Sequence, residues 1–226
     1  MGIDSYTKAL LHLNGADSST VFTDLSGKTW TAVAPAQLKT AQYKFSPSSL
    51  YCDGSGACIQ TPDHADFTVG SGDWTVDCWF KTSVANKYIF GQANSGGTTA
   101  TMGLFGLTDG TGKMGIGFST GGALYQVYST AAGFADGNWH HFAGIRYGNN
   151  MYVAADGTLS APQSITGLSV NDSGYKFAIG ALGESAGTPF NGYIDEFRFS
   201  KGIARWTTNF TPPTKAYGGG LFTFHG

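Results

Sequence analysis

The sequence predicts an all-β fold, a two-layer antiparallel β-sandwich, on three grounds: its composition, its hairpin rhythm and the two-residue alternation of its longest apolar runs. Among 226 residues, 34 are Gly, 14% are aromatic and only 12% are charged, against roughly 25% charged residues in an average soluble domain. Helical surfaces are usually built from Glu, Lys and Arg, yet Glu184 and Glu196 are the only glutamates. The abundant Thr, Ser, Tyr and Phe suit pleated surfaces instead. A chain this long buries enough surface to fold without disulfides or metals.

Taken in order, the segments read as apolar runs closed by Gly, Asn or Asp turns. Ser49 to Cys52 and Ala57 to Gln60 flank Asp53-Gly54-Ser55-Gly56 and are expected to form a hairpin. Met102 to Leu107 and Lys113 to Ser119 flank Asp109-Gly110-Thr111-Gly112, and Gly121-Gly122 leads into Leu124 to Ser129. Trp139 to Tyr147 and Met151 to Ala155 flank Gly148-Asn149-Asn150. Such short links imply antiparallel order, because parallel neighbours need crossovers of about a dozen residues. In Thr75 to Lys81, alternation places Val76, Cys78 and Phe80 on one face and Trp79 on the other. One helical turn is expected around Ser200 to Trp206, before Pro212 and Pro213. The sandwich is expected to occupy residues 1–217. Residues 218–226 read as a Gly-rich flexible tail, frayed or else a docking peptide through Leu221, Phe222 and Phe224.

A net charge of −2 with no basic run excludes the electrostatic footprint of a nucleic-acid binder. No apolar segment approaches the 18 residues or so of a membrane span, and the start carries no secretion signal, so the chain is expected to be soluble where it is made. Cys52, Cys58 and Cys78 read as small buried hydrophobes, with a Cys52–Cys58 bridge as the alternative that geometry decides.

Several segments together resemble the concanavalin A-like lectin and glucanase superfamily, in the laminin G-like jelly-roll form found in phage structural proteins. They are Leu10-Leu11-His12-Leu13-Asn14-Gly15 with Phe22-Thr23-Asp24-Leu25-Ser26-Gly27, Ser48-Ser49-Leu50-Tyr51-Cys52-Asp53-Gly54, Trp74-Thr75-Val76-Asp77-Cys78-Trp79-Phe80 and Trp139-His140-His141-Phe142-Ala143. The most specific block runs from Phe190 to Ser200 and continues through Gly202-Ile203-Ala204-Arg205-Trp206 and Asn209-Phe210-Thr211-Pro212-Pro213. Cysteine replaces the commoner aromatic at positions 52 and 78. The resemblance implies a non-enzymatic virion protein, a capsid decoration or fibre subunit. It would be made in the host cytoplasm and laid on the major capsid protein as a homo-oligomer, in the manner of a trimer, with some capacity for host-surface glycans. A carbohydrate-binding module of cellular origin is the alternative.

Sandwich glucanases of this superfamily cut sugars with carboxylates at alternate positions of one strand, and two suitably spaced carboxyls are the chemical minimum. Glu184 and Glu196 are far apart in sequence, and strict alternation sends Asp195 and Glu196 to opposite faces, so no glycosidase is expected. Adjacent His140 and His141 likewise diverge, which leaves packing and hydrogen bonding as their role. Asp195, on the face alternation shares with Phe197 and Phe199, needs a partner. The resemblance implies a structural calcium held by Asp195 and by the region of Asn14, with backbone-amide capping as the other reading. Trp30, Tyr43, Tyr88, Tyr125, Tyr128 and Trp206 are candidates to stack on sugar rings, Trp30, Tyr125, Tyr128 and Trp206 foremost, against an ordinary role in the core.

Overall fold

The computed structural model describes residues 3–33, 35–94, 97–184 and 186–218. The tail positions Leu221, Phe222 and Phe224 lie outside the described residues. The strands are β1 (Thr7–Leu11), β2 (Thr31–Val33), β3 (Gln37–Lys39), β4 (Ser49–Asp53), β5 (Cys58–Thr61), β6 (Trp74–Lys81), β7 (Lys87–Ala93) and β8 (Met102–Thr108). They continue as β9 (Met114–Ser119), β10 (Leu124–Tyr128), β11 (Trp139–Tyr147), β12 (Asn150–Ala155), β13 (Thr158–Leu159), β14 (Gln163–Ser164), β15 (Phe177–Ile179) and β16 (Asn191–Lys201). The first sheet has the order β13-β12-β11-β6-β16-β4-β3, with β1 added on β16 and β14 on β12; the second has the order β10-β9-β8-β7-β15-β5-β2. Every pairing is antiparallel, as the short links require.

The core lies between the sheets. Alternation in β6 sends Trp74, Val76, Cys78 and Phe80 into it, and β16 contributes Ile194, Phe197 and Phe199. From the second sheet, Phe177 stacks on Phe67 (centroids 4.6 Å apart) and on Phe90 (5.8 Å), and it meets Trp30, Phe197 and Phe199 edge-on or tilted. Apolar area and ring geometry therefore coincide at the centre of the sandwich.

Three expectations are corrected. The turn at Asp53 to Gly56 is not a hairpin: β4 belongs to the first sheet and β5 to the second, so this link carries the chain across the sandwich. Its flanking Cys52 and Cys58, like Cys78, are buried free thiols. The turn around Ser200 to Trp206 is not helical, because β16 extends to Lys201 and the chain then continues as bends. Alternation also fails inside β16. Asp195 pairs with Trp79 and Arg198 with Asp77, so three residue steps oppose two; Glu196 takes up the extra residue with φ +52°. This bulge turns Asp195 away from the core, onto the outer face of the first sheet with Asp77, while Phe197 and Phe199 stay inside.

Candidate functional site

The outer face of the first sheet gathers an unusual set of buried polar groups. Asp77, His141, Asp195, Glu196 and Arg198 are all buried, and a charge in that position requires a partner. Arg198 meets Asp77 in a two-point ion pair, Nε to Oδ1 at 3.0 Å and Nη2 to Oδ2 at 3.2 Å. The Tyr217 hydroxyl donates to the same Asp77 oxygen, and the Tyr217 amide donates to Glu196 Oε2 at 2.9 Å. Glu196 Oε1 is 2.7 Å from His12 Nδ1. Each carboxylate is thus consumed by the protein itself.

The residues after β16 lie over this face as a strap. Trp206 and Phe210 stack at 4.1 Å and cover Ala143, Ile145 and Ala154, with His141 edge-on to both rings. The Phe210 amide donates to the Gly157 carbonyl at 2.9 Å. A side chain at residue 157 would sit 1.9 Å from the Phe210 oxygen, which explains glycine there. From the other side, the Lys44 ammonium sits 3.7 Å above the Trp79 ring and Phe45 meets that ring edge-on. Asp77, Asp195 and Glu196 on this sheet face are at most 1% exposed.

Asp195 is held by backbone amides: Lys44 (2.8 Å) and Phe45 (2.9 Å) donate to Oδ2, and Glu196 (2.9 Å) donates to Oδ1. Burial pushes its carboxyl up to about 7, against the pull of these amide donors and with a further push from Glu196. The Leu13 carbonyl accepts from Ser48 Oγ, and Asn14 is exposed. Among the described residues no group of three or more His, Cys, Asp or Glu could hold a metal ion. Asp195 is thus capped by backbone amides, the other reading of that carboxylate.

Two histidines give the first sheet a pH response, His12 against Glu196 on this face and His140 on the opposite side of β11 from His141. Burial alone would lower His140, but its contacts to Asp156 (2.7 Å) and Asp136 (3.0 Å) win and raise it. Its hydrogen bond to Glu196 likewise raises His12 above its usual value. Both groups stabilise the fold fully below the unfolded pKa of about 6.5, and that contribution is lost as pH rises through the raised folded values. Asp195, raised from 3.8 to about 7, adds a loss of the same sign up to neutrality. Melts taken upward from pH 6.5 are expected to show stability falling by roughly 1 kcal/mol for each partly exposed ion pair. His140→Asn should flatten that slope, and an unchanged slope would refute the assignment.

An open cleft of about 360 Å³ lies at the rim of the sandwich, between residues 26–29 and 61–66. Asp24 builds the first lip. Its Oδ1 accepts from the Leu10 and Ser26 amides and its Oδ2 accepts from Trp30 Nε1, while the Gly27 amide closes a turn on the Asp24 carbonyl. Lys28 crosses to the second lip, where its ammonium reaches Asp66 Oδ2 at 2.6 Å and also bonds the Lys8 carbonyl. Burial would raise Asp66, but Lys28 holds its carboxyl below the ordinary value. Asp63 accepts from Gln92 Nε2 at 2.8 Å through one oxygen, and His64 Nδ1 accepts from the Asp66 amide at 3.1 Å. Hydroxyls of Ser26, Thr29 and Thr61 complete the lining with exposed Pro62. The cleft therefore presents carboxylate acceptors, an imidazole and hydroxyls around one paired ammonium, a lining suited to a neutral hydroxyl-rich ligand.

The four foremost aromatic candidates are not brought together. Trp30 is 5% exposed in the core and tied to Asp24, so no ligand reaches its ring. Trp206 belongs to the strap. Tyr125 stacks on Phe118 and packs on the main core, while Tyr128 packs with Phe105, Leu107 and Tyr88 on the outer face of the second sheet. Of the remaining pair, Tyr43 is exposed. The cleft residues Lys28, Asp63, His64 and Asp66 escaped sequence reading, because two turn segments over thirty residues apart carry no mark of meeting.

Residues 53–205, more than half of the chain, match a laminin G family model described as concanavalin A-like lectin/glucanases superfamily. The chain belongs to that superfamily. Comparison with curated protein sequences returns no match. Solved structures share the fold. The binding domain of Paraclostridial Mosquitocidal Protein 1 has a TM-score of 0.64 at 13% identity, over 88% of this chain and 49% of that one. Domain 4 of AbnA, an extracellular arabinanase of family GH43 from Geobacillus stearothermophilus solved with arabinotriose, has a TM-score of 0.59 at 17% identity, over 88% and 93%. A botulinum neurotoxin type C structure, whose cell entry depends on two ganglioside molecules, has a TM-score of 0.60 at 11% identity, over 88% and 48%. The chain thus spans about half the length of these toxin chains but nearly all of the arabinanase domain. Within the superfamily, this chain buries Asp77, Asp195 and Glu196 on the outer face of its first sheet and leaves a polar cleft open at the rim.

Proposed function

We propose that this chain is a non-catalytic carbohydrate-binding module that seats a neutral sugar in the cleft between residues 26–29 and 61–66. The observation that carries the reading is the lining of that cleft. Asp63 and Asp66 accept from sugar hydroxyls, His64 offers a ring face and a nitrogen, and the Lys28 charge is already neutralised by Asp66. The arabinotriose complex of the arabinanase domain and the ganglioside dependence of the type C toxin support sugar binding as a use of this fold. Burial of Asp77, Asp195 and Glu196 beneath strap and loop argues against glycoside cleavage, which needs both carboxyls at the bond to be cut.

A glycan array, followed by calorimetry on the best neutral oligosaccharide, tests the proposal. Asp63→Ala and His64→Ala are each expected to weaken binding at least about tenfold, a loss of roughly 1.4 kcal/mol, with unchanged melting for His64→Ala. No binding above background, or binding indifferent to both substitutions, would sink it. The resemblance of Phe190 to Pro213 to phage structural proteins favours a virion as the setting, with the module laid on the major capsid protein. Mass spectrometry of purified virions tests that setting, and absence of the polypeptide would reject it.

A further inference from the structure

Strand register lines up five residues in one row across the first sheet. Gln37 of β3 faces Tyr51 of β4, Tyr51 faces Tyr193 of β16, Tyr193 faces Lys81 of β6, and Lys81 faces Trp139 of β11. Their chain neighbours Leu38, Leu50, Cys52, Ile194 and Phe80 lie in the core, so alternation points this row outward. Nearer the middle of the same face, Lys44 and Phe45 cover Trp79, and the strap covers Ala143 and Ile145. The row itself stays accessible, with all five residues partly exposed. With strands about 4.8 Å apart it runs roughly 19 Å, the reach of a short oligosaccharide.

The chemistry along the row points to a class of ligand. The Tyr51 and Tyr193 rings meet at 5.1 Å, inclined by 43°, and form a two-ring platform. The C–H faces of sugar rings pack on such apolar surfaces, while Tyr and Trp keep a polar handle for hydroxyls. Among the described residues no hydrogen bond engages the Tyr51 or Tyr193 hydroxyl or Trp139 Nε1, which leaves these groups to a ligand. On the strand between Tyr193 and Trp139, the Lys81 ammonium donates to the neutral Gln42 Oε1 at 2.7 Å and, among the described residues, meets no carboxylate. Asp53, two residues along β4 on the same face, already accepts from the Ser55 and Ala57 amides. A cation without a carboxylate, set among aromatic rings, complements an anionic sugar. A phosphate backbone would require a run of cations, and the chain has none.

We propose that this row is a second glycan site, which takes an oligosaccharide bearing a carboxylate. Its sugar rings lie on Tyr51, Tyr193 and Trp139, and its carboxylate pairs with Lys81. The site goes beyond the neutral-sugar cleft and shares no residue with it.

Calorimetry on the full chain tests the proposal with trigalacturonate and sialyllactose, each against its uncharged counterpart, the methyl ester and lactose. The two probes separate a uronate chain from a terminal sialyl group. At least one of them is expected to bind about tenfold or more tightly than its counterpart. Lys81→Gln should erase that preference with unchanged melting. Tyr193→Ala should weaken the carboxylated sugar about tenfold or more, and Tyr193→Phe, which keeps the ring, should retain most of the binding. His64→Ala, in the cleft, should leave it unchanged, so the two sites fail separately. Binding of neither probe, a preference that survives Lys81→Gln, or loss through His64→Ala instead would overturn the proposal. So would capture of an acidic peptide with no binding of either sugar.

Discussion

Replacing Asp77 by alanine is expected to cost about 3–5 kcal/mol, because it strands the Arg198 guanidinium in a site from which water is excluded. Asp77 is fully buried and Arg198 is 2% exposed. Among the described residues the guanidinium has no second carboxylate within salt-bridge distance, and it also meets the Tyr217 ring at 3.9 Å and the Trp206 ring at 5.6 Å. Tyr217 would lose its hydroxyl acceptor at the same time, loosening the end of the strap. For a chain of this size such a loss lowers the melting midpoint on the order of 10 °C. Thermal and urea melts measure it. The paired substitution Asp77→Leu with Arg198→Met should cost less than Asp77→Ala alone, since removing both charges leaves neither unpaired. A midpoint within a degree or two of wild type for Asp77→Ala would show that the pair does not hold the strap.

Phe177→Ala is expected to be as costly, about 3–5 kcal/mol, by a different mechanism. Phe177 is fully buried and touches aromatic rings contributed by both sheets, Phe90 from the second and Phe197 and Phe199 from the first. Truncation leaves a cavity that five rigid rings cannot collapse into, so transfer and packing are lost together. Phe177→Leu, which keeps most of the volume, should recover more than half of the loss in urea melts. Equal effects of the two substitutions would mean that the site relaxes and that the ring cluster is not the keystone of the sandwich.

Where side-chain periodicity and turn chemistry act locally, the fold was legible in the residues. The hairpins β8–β9, β9–β10 and β11–β12 follow from Gly-bearing turns between alternating runs, and the core face of β6 follows from Val76, Cys78 and Phe80. Reading failed where one residue breaks the period. With Glu196 at positive φ, the two-residue rule places Asp195 on the wrong side and hides that it shares the outer face with Asp77. It failed again at β4 and β5, because a turn sequence does not say whether the next strand pairs with the last or crosses to the opposite sheet. The strap was misread for a related reason: the residues after β16 are fixed by Trp206, Phe210 and Tyr217 docking on the sheet, and no local propensity encodes that docking.

The sequence by itself determined the class of the molecule. Scarce charge, abundant glycine and period-two apolar runs leave an antiparallel sandwich as the way to bury these side chains, and no helix among the described residues is long and apolar enough to cross a membrane. Only the tertiary structure decided which polar groups meet. It buried Asp77, Asp195 and Glu196 under a strap, assembled Lys28, Asp63, His64 and Asp66 into a rim cleft, and aligned Tyr51, Tyr193, Lys81 and Trp139 in one row. The physical reason is that burial and periodicity are properties of short segments, whereas charge pairing and clefts depend on contacts between residues that chain connectivity keeps far apart.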